Sequence, residues 1–274
     1  MSRRMLLALA LLLTPGWAAA CGTAETVCEA ADGTYYALLP EGEAKGTLFF
    51  LHGMGARAEG IVGNTGLVET ALARGYALIS PQGLPWREGQ RGGIWNVNAR
   101  PELRDDIAWL DAVAEDAAAR FGLDRGAMIM AGFSGGGMMA WRVACDAPAT
   151  FAAYGPVAGL LWEPFPEACA GPVRLHHTHG WTDPVVPIEG RTWRPEWTQG
   201  DLFAGLDLLR AALACEGDQP DAYDAREPYL IRSWSACAEG AALALAIHPG
   251  GHSIPRGWTA LFLDWLEAPA ADPA

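Results

Sequence analysis

The sequence predicts an α/β fold, a mostly parallel sheet with helices on both faces. Three observations carry that expectation. Short apolar runs of strand length alternate along the chain with longer stretches of helical period. The runs are apolar throughout, as strands buried on both faces are. The chain has 274 residues, 51% hydrophobic and 19% charged, which is enough to build a sizeable core and too apolar for disorder.

The elements follow in order. Residues 46–51 (GTLFFL) are the first buried strand, ending at His52-Gly53, and 76–80 (YALIS) the next, stopped by Pro81. Between them, 60–74 carries a helical pattern closed by Gly75. The clearest helix is 103–121, with Ile107, Leu110, Val113, Ala114 and Ala117 on one stripe. Its acidic residues lie largely on the other side, and Asp105-Asp106 reads as an N-terminal charge pair rather than a catalytic dyad. Residues 127–131 (AMIMA) form a third strand backed by a helix over 137–145. Residues 173–178 and 241–247 give two more strands, and 258–266 an amphipathic closing helix. With no internal repeat and no long linker, one domain over 21–274 is the economical reading.

Residues 1–20 read as an export signal: Arg3 and Arg4, an apolar run from Met5 to Leu13, then Ala18-Ala19-Ala20. The apolar run is about half of what spans a bilayer, and Pro15 and Gly16 break it, so no membrane span is expected. Cys21 admits lipoprotein processing, but Ala18 stands where a Leu is usual, which favours a secreted or periplasmic product over a lipid anchor. All six cysteines (Cys21, Cys28, Cys145, Cys169, Cys215, Cys237) follow this segment, so three disulfides are the default in an oxidising compartment. Sequence-local pairing would join 21 with 28, 145 with 169 and 215 with 237, among fifteen formal connectivities. The absence of a Cys-x-x-Cys pair argues against a metal. A net charge of −13 argues against nucleic acid and points to neutral or apolar partners.

Gly132-Phe133-Ser134-Gly135-Gly136 fits G-x-S-x-G between the strand 127–131 and the helix 137–145. A serine at the tip of a strained strand-to-helix turn needs glycine neighbours, because side chains there would strike adjacent backbone. The helix N-terminus presents free N–H groups to a developing oxyanion. Such a serine needs a base and an orienting carboxylate, in the chain order Ser, Asp, His. Asp183 lies just beyond the strand 173–178, and His252 follows Gly250-Gly251 before the closing helix. His248 is the competing base; Asp201, Asp207 and Asp224 are competing acids, none directly after an apolar strand. The oxyanion donors expected are the backbone N–H groups of Gly135 and Met54, with Gly53 as the fallback for the second.

Seven stretches together resemble the polyhydroxybutyrate depolymerase and feruloyl (acetylxylan) esterase-like group of secreted α/β-hydrolases. They are LHGMG (51–55), SPQG (80–83), DDIAWLDAV (105–113), GFSGGGMMAWRVAC (132–145), FAAYGPVAG (151–159), HGWTDPVVPIEG (179–190) and WSAC…HPGGHSIP (234–255). The resemblance implies an α/β-hydrolase fold and a serine esterase with Ser134, Asp183 and His252 as its triad. It also implies disulfides 145–169 and 215–237. Acyl-enzyme chemistry on such a triad needs no metal and no organic cofactor. Two departures, Gly135 where the group often has Asn and His248-Pro249 before Gly-Gly-His, would reshape the acyl pocket without removing a catalytic group.

His176, His177 and His179 are expected to be hydrogen-bonded spacers beneath the Asp183 loop rather than metal ligands. Phe133, Trp181, Trp193 and Trp197 are the candidate substrate pocket, with Phe203 nearby; the tryptophans could equally serve packing. The expected partner is a small-molecule or oligomeric ester: polyhydroxybutyrate-type oligomers, feruloyl or acetyl esters, or simple short-chain esters. With nothing appended after Ala274, soluble oligomers are expected over a solid polymer. The alternative class is a secreted carbohydrate- or lipid-binding protein that keeps the fold without the chemistry.

Overall fold

Leu48 and Phe50 point to one face of the strand Gly46–Leu51 and Phe49 and Leu51 to the other, and all four are fully buried. A strand of period two can do this only with an apolar layer on each side. The computed structural model describes residues 21–195 and 197–268, so the signal reading of 1–20 lies outside the described residues. The central sheet has ten strands: β1 (Cys28–Ala30), β2 (Gly33–Leu38), β3 (Gly46–Leu51), β4 (Tyr76–Pro81), β5 (Met128–Phe133), β6 (Tyr154–Val157), β7 (Arg174–Gly180), β8 (Ala222–Arg226), β9 (Tyr229–Trp234) and β10 (Ala242–His248). Their order is β1-β2-β4-β3-β5-β6-β7-β10-β9-β8. The run from β4 through β10 is parallel, and antiparallel pairs close both edges.

Among the described residues six α-helices cover the sheet: α1 (Ala58–Val62), α2 (Thr65–Ala73), α3 (Asp106–Phe121), α4 (Gly135–Asp146), α5 (Leu202–Ala212) and α6 (Trp258–Glu267). The buried faces of α3, α4 and α5 share one apolar cluster with Phe49 and Leu51, while α2 and α6 share the other with Leu48 and Phe50. The single helix expected over 60–74 is two. Gly63 ends α1, and the Asn64 side chain accepts a hydrogen bond from the Leu67 N–H at 3.2 Å, starting α2 afresh. Asp105 caps α3 by accepting from Ile107 and Ala108 at 3.1 Å each. Asp106 does more than the expected charge pairing. It is buried, bonded to Arg104 at 2.6 Å and to the Asn96 N–H at 2.7 Å, and so fastens the loop after β4.

The helix expected from 137 starts at Gly135, directly after Ser134, because the glycines fit where α4 crosses β3. A Cβ on Gly136 would stand 2.3 Å from the Leu51 carbonyl oxygen. The cysteines pair 21–28, 145–169 and 215–237, the sequence-local set. No helix among the described residues is long and apolar enough to cross a membrane. Two small sheets lie in loops that leave the carboxyl ends of β4, β6 and β7. One is Leu84–Pro85 with Gly93–Ile94; the other joins Trp162–Glu163, Arg191–Arg194 and Trp197–Gln199.

Candidate active site

Loops leaving the carboxyl ends of β3, β5, β7 and β10 converge, the place where a parallel sheet presents its ligand site. Ser134 occupies the single residue between β5 and α4, at φ 54° and ψ −118°. That left-handed backbone costs a non-glycine residue on the order of 1–3 kcal/mol and turns the side chain outward. Two hydrogen bonds hold it: the Ser134 N–H to the Val157 carbonyl at 2.9 Å, and the Met138 N–H to the Ser134 carbonyl at 2.8 Å.

The structure brings Ser134, His252 and Asp183 into one line. His252 Nε2 lies 2.9 Å from Ser134 Oγ, and His252 Nδ1 lies 2.7 Å from Asp183 Oδ2. Asp183 is buried, and its other oxygen, Oδ1, accepts from the Val185 and Val186 N–H groups at 2.8 Å each. With Oδ1 occupied by two backbone donors, Oδ2 is aimed at the imidazole. His252 Nδ1 therefore carries the proton, and Nε2 is left free to accept from the serine hydroxyl. The Phe133 ring packs on the His252 ring at 4.8 Å.

His248, the competing base, does not reach the serine. It is buried at the end of β10, where its Nδ1 accepts from the Gly250 N–H at 3.1 Å and shapes the turn that delivers His252. The competing acids stay elsewhere: Asp201 caps α5, Asp207 pairs with Arg210, and Asp224 lies on the exposed edge strand β8.

A Cβ on Gly135 would stand 3.0 Å from the Met54 nitrogen, so the Met54 N–H and the first turn of α4 border one space beside Ser134. The buried His52 organises that loop. Its Nε2 accepts from the Gly83 N–H at 3.0 Å, so its Nδ1 carries the proton and donates to the Gly53 carbonyl at 2.8 Å. In a trans peptide the carbonyl and the next N–H point opposite ways, so drawing the Gly53 carbonyl to His52 turns the Met54 N–H outward. Burial holds the His52 pKa below the usual range, keeping the ring neutral.

Beside Met54 opens a cavity of about 190 Å³, lined by Trp86, Trp95, Trp162 and Trp197 with Asn98 and Arg100. Trp86 stacks on Trp197 at 5.5 Å and 15°, and Trp162 meets Trp197 edge-on at 5.8 Å. Of the expected pocket residues, Trp197 lines this cavity and Trp193 leans on Trp197 at 5.7 Å. Phe133 packs instead on the His252 ring. Trp181 stands apart, 65% exposed, because the tight turn before Asp183 points it to solvent. Sequence reasoning missed Trp86, Trp95 and Trp162. The signal for two of them is their place a few residues past the ends of β4 and β6, where a parallel sheet builds its site.

His177 and His179 face α4, whereas His176 faces α6, its ring 5.4 Å from Trp265. The first two lie in one line of hydrogen bonds. Trp141 Nε1 lies 3.0 Å from His177 Nδ1, His177 Nε2 2.9 Å from His179 Nδ1, and His179 Nε2 2.8 Å from the Val186 carbonyl.

No protein-family model matches the chain. It is similar to the putative esterase NocK of Nocardia uniformis subsp. tsuyamanensis, 29% identical over 236 residues, covering 80% of this chain and 67% of that protein. It is also 29% identical over 151 residues to feruloyl esterase C of Emericella nidulans, covering 52% of this chain and 50% of that one. The chain thus spans about half the length of the feruloyl esterases it matches. Among solved structures it is similar to a carboxylesterase from Mesorhizobium loti, with a TM-score of 0.59 at 19% identity over 89% of this chain and 100% of that one. An acetyl xylan esterase from Aspergillus awamori gives 0.57 at 13% identity over 84% and 94%. These likenesses, with the sheet order above, make the fold that of the α/β-hydrolases.

Proposed function

We propose that the chain is a serine carboxylic ester hydrolase working through an acyl-enzyme, with Ser134 as nucleophile, His252 as base and Asp183 as the orienting acid. The observation that carries this is the unbroken hydrogen-bonded line Asp183–His252–Ser134 at 2.7 and 2.9 Å, ending on a serine held at positive φ. His252 Nε2 takes the hydroxyl proton as Oγ attacks the ester carbonyl. The Met54 and Gly135 N–H groups receive the negative charge that develops on the carbonyl oxygen, each such donor worth about 3 kcal/mol of barrier. The proton then passes from His252 to the departing alcohol. Water repeats the sequence to release the acid and restore the serine.

The four tryptophans beside Met54 favour an acyl group carrying a flat ring, of the feruloyl kind, over a linear hydroxybutyrate unit. The relatives named as feruloyl esterases support the same direction. Three disulfides suit an oxidising compartment, which supports an exported protein whose mature chain begins at Cys21. Ser134→Ala tests the whole reading. It lowers p-nitrophenyl butyrate hydrolysis by at least about four orders of magnitude and abolishes fluorophosphonate labelling, with Tm retained. Activity persisting in that variant would refute the assignment.

A further inference from the structure

The three buried rings behind the acid loop admit only one arrangement of protons. At one end the Trp141 indole N–H can only donate, so His177 Nδ1 accepts and its proton sits on Nε2. That proton points at His179 Nδ1, which leaves the His179 proton on Nε2. At the other end the Val186 carbonyl can only accept, which requires the same proton on His179 Nε2. Both ends impose one direction, and adding a proton to either ring would set two N–H groups against each other. Burial also presses both histidines toward neutrality, most strongly His177, where the neighbouring imidazoles add to it.

The hydrogen-bonded line ends on the residue whose N–H holds the acid. Val186 is buried, its carbonyl takes the His179 proton, and its N–H grips Asp183 Oδ1 at 2.8 Å. His179 Nε2 also lies 3.6 Å from Asp183 Oδ2, the oxygen that faces His252. The other terminus, Trp141, is on α4, the helix that Ser134 opens. One line of donors thus runs from the nucleophile's helix through the core to the acid's loop.

We infer that His179, fixed by His177 and Trp141, is a positioning residue: it anchors Val186 by its carbonyl, and through the Val186 N–H aims the Asp183 carboxylate at His252. This rests on the proposed roles of Ser134, Asp183 and His252. None of the three rings touches the reacting atoms; their effect is on where Asp183 Oδ2 points.

The strand supplies its own control. His179→Phe and His176→Phe each exchange a buried imidazole for a ring of similar size on β7, on opposite faces. Both lose stability. Only His179→Phe lowers kcat for p-nitrophenyl butyrate, by about tenfold to a hundredfold with KM nearly unchanged, the scale of a small misplacement in a catalytic group. Only His179→Phe loses or shifts the low-field NMR resonance of the proton between His252 and Asp183. His179→Gln, which restores a donor near the Nε2 position, recovers most of kcat. Trp141→Phe removes a single N–H from the far end of the line and lowers kcat by about threefold to tenfold, within the cost of one buried hydrogen bond.

If His179→Phe retains wild-type kcat and the low-field resonance, as His176→Phe does, the inference is wrong. If His179→Phe does not fold, Trp141→Phe decides: an unchanged kcat and resonance there overturn it. Ser134→Ala keeps the two questions apart, since an active Ser134→Ala removes the assigned function, whereas a dead Ser134→Ala beside an unaffected His179→Phe removes only the positioning role.

Discussion

At the scale of single residues, the site is a set of side chains left with one option each. Asp183 has one oxygen consumed by two backbone donors, His52 has one nitrogen consumed by Gly83, and each of them presents its remaining atom in a fixed direction. Trp197 is different, because its contacts are aromatic faces rather than hydrogen bonds: it stacks on Trp86 and meets Trp162 and Trp193. Trp197→Ala should therefore spare the chemistry and alter acyl choice. The expected outcome is a loss in kcat/KM of about tenfold to a hundredfold for methyl ferulate, and much less for p-nitrophenyl acetate, whose acyl group does not fill the cavity. Steady-state kinetics on the two esters check this; equal losses would show that the cavity does not receive the acyl group.

At the scale of elements, α4 against β3 is the joint on which the geometry depends. A Cβ on Gly136 would press 2.3 Å from the Leu51 carbonyl oxygen and 2.7 Å from that of His52, backbone with no freedom to retreat. Gly136→Ala should cost about 1–3 kcal/mol and also lower kcat, because it pushes the helix bearing Ser134 away from the loop bearing Met54. Gly60, a helical glycine in α1 with nothing within 4 Å of its added Cβ, is the comparison. Gly60→Ala should gain up to about 1 kcal/mol with no change in activity. Urea unfolding of both variants, alongside kcat, checks the pair.

The elements themselves were legible in the sequence where hydrophobic runs were long: β3, β4, β5, β7 and β10 stand within one or two residues of the expected strands. Ser134, Asp183 and His252 could be singled out because glycine and strand-end signals flank each of them. Less of the rest was legible. The Tyr154–Val157 strand is four residues with a proline, too short for periodicity to register. The split between α1 and α2 depends on one asparagine cap. The tryptophan cavity is assembled from three loops far apart in sequence, so composition shows the tryptophans without showing which of them meet.

At the scale of the whole molecule, the buried imidazoles set a response to acid. Burial holds His52, His176, His177, His179 and His248 below their ordinary pKa, His176 down to about 4. The unfolded chain, with histidines near 6.5, binds these protons first, so stability is full above about pH 6.5 and falls as pH drops toward 4. His176 alone contributes on the order of 3 kcal/mol to that fall. Asp106, whose pKa burial raises, acts in the opposite sense as a single group against five. Urea midpoints measured at pH 7 and pH 5 should show a clear decrease; a flat profile between them would contradict it.

The order of the strands has a consequence in time. His252 follows the end of β10, 118 residues after Ser134, and β10 pairs with β7 in parallel, a contact that no local hairpin can form early. A chain made from its N-terminus carries Ser134 long before it carries His252, and an unfolded chain holds neither in place. Under the proposed mechanism, hydrolysis begins only once β10 has docked beside β7, so the chain is inactive for as long as that pairing is unmade.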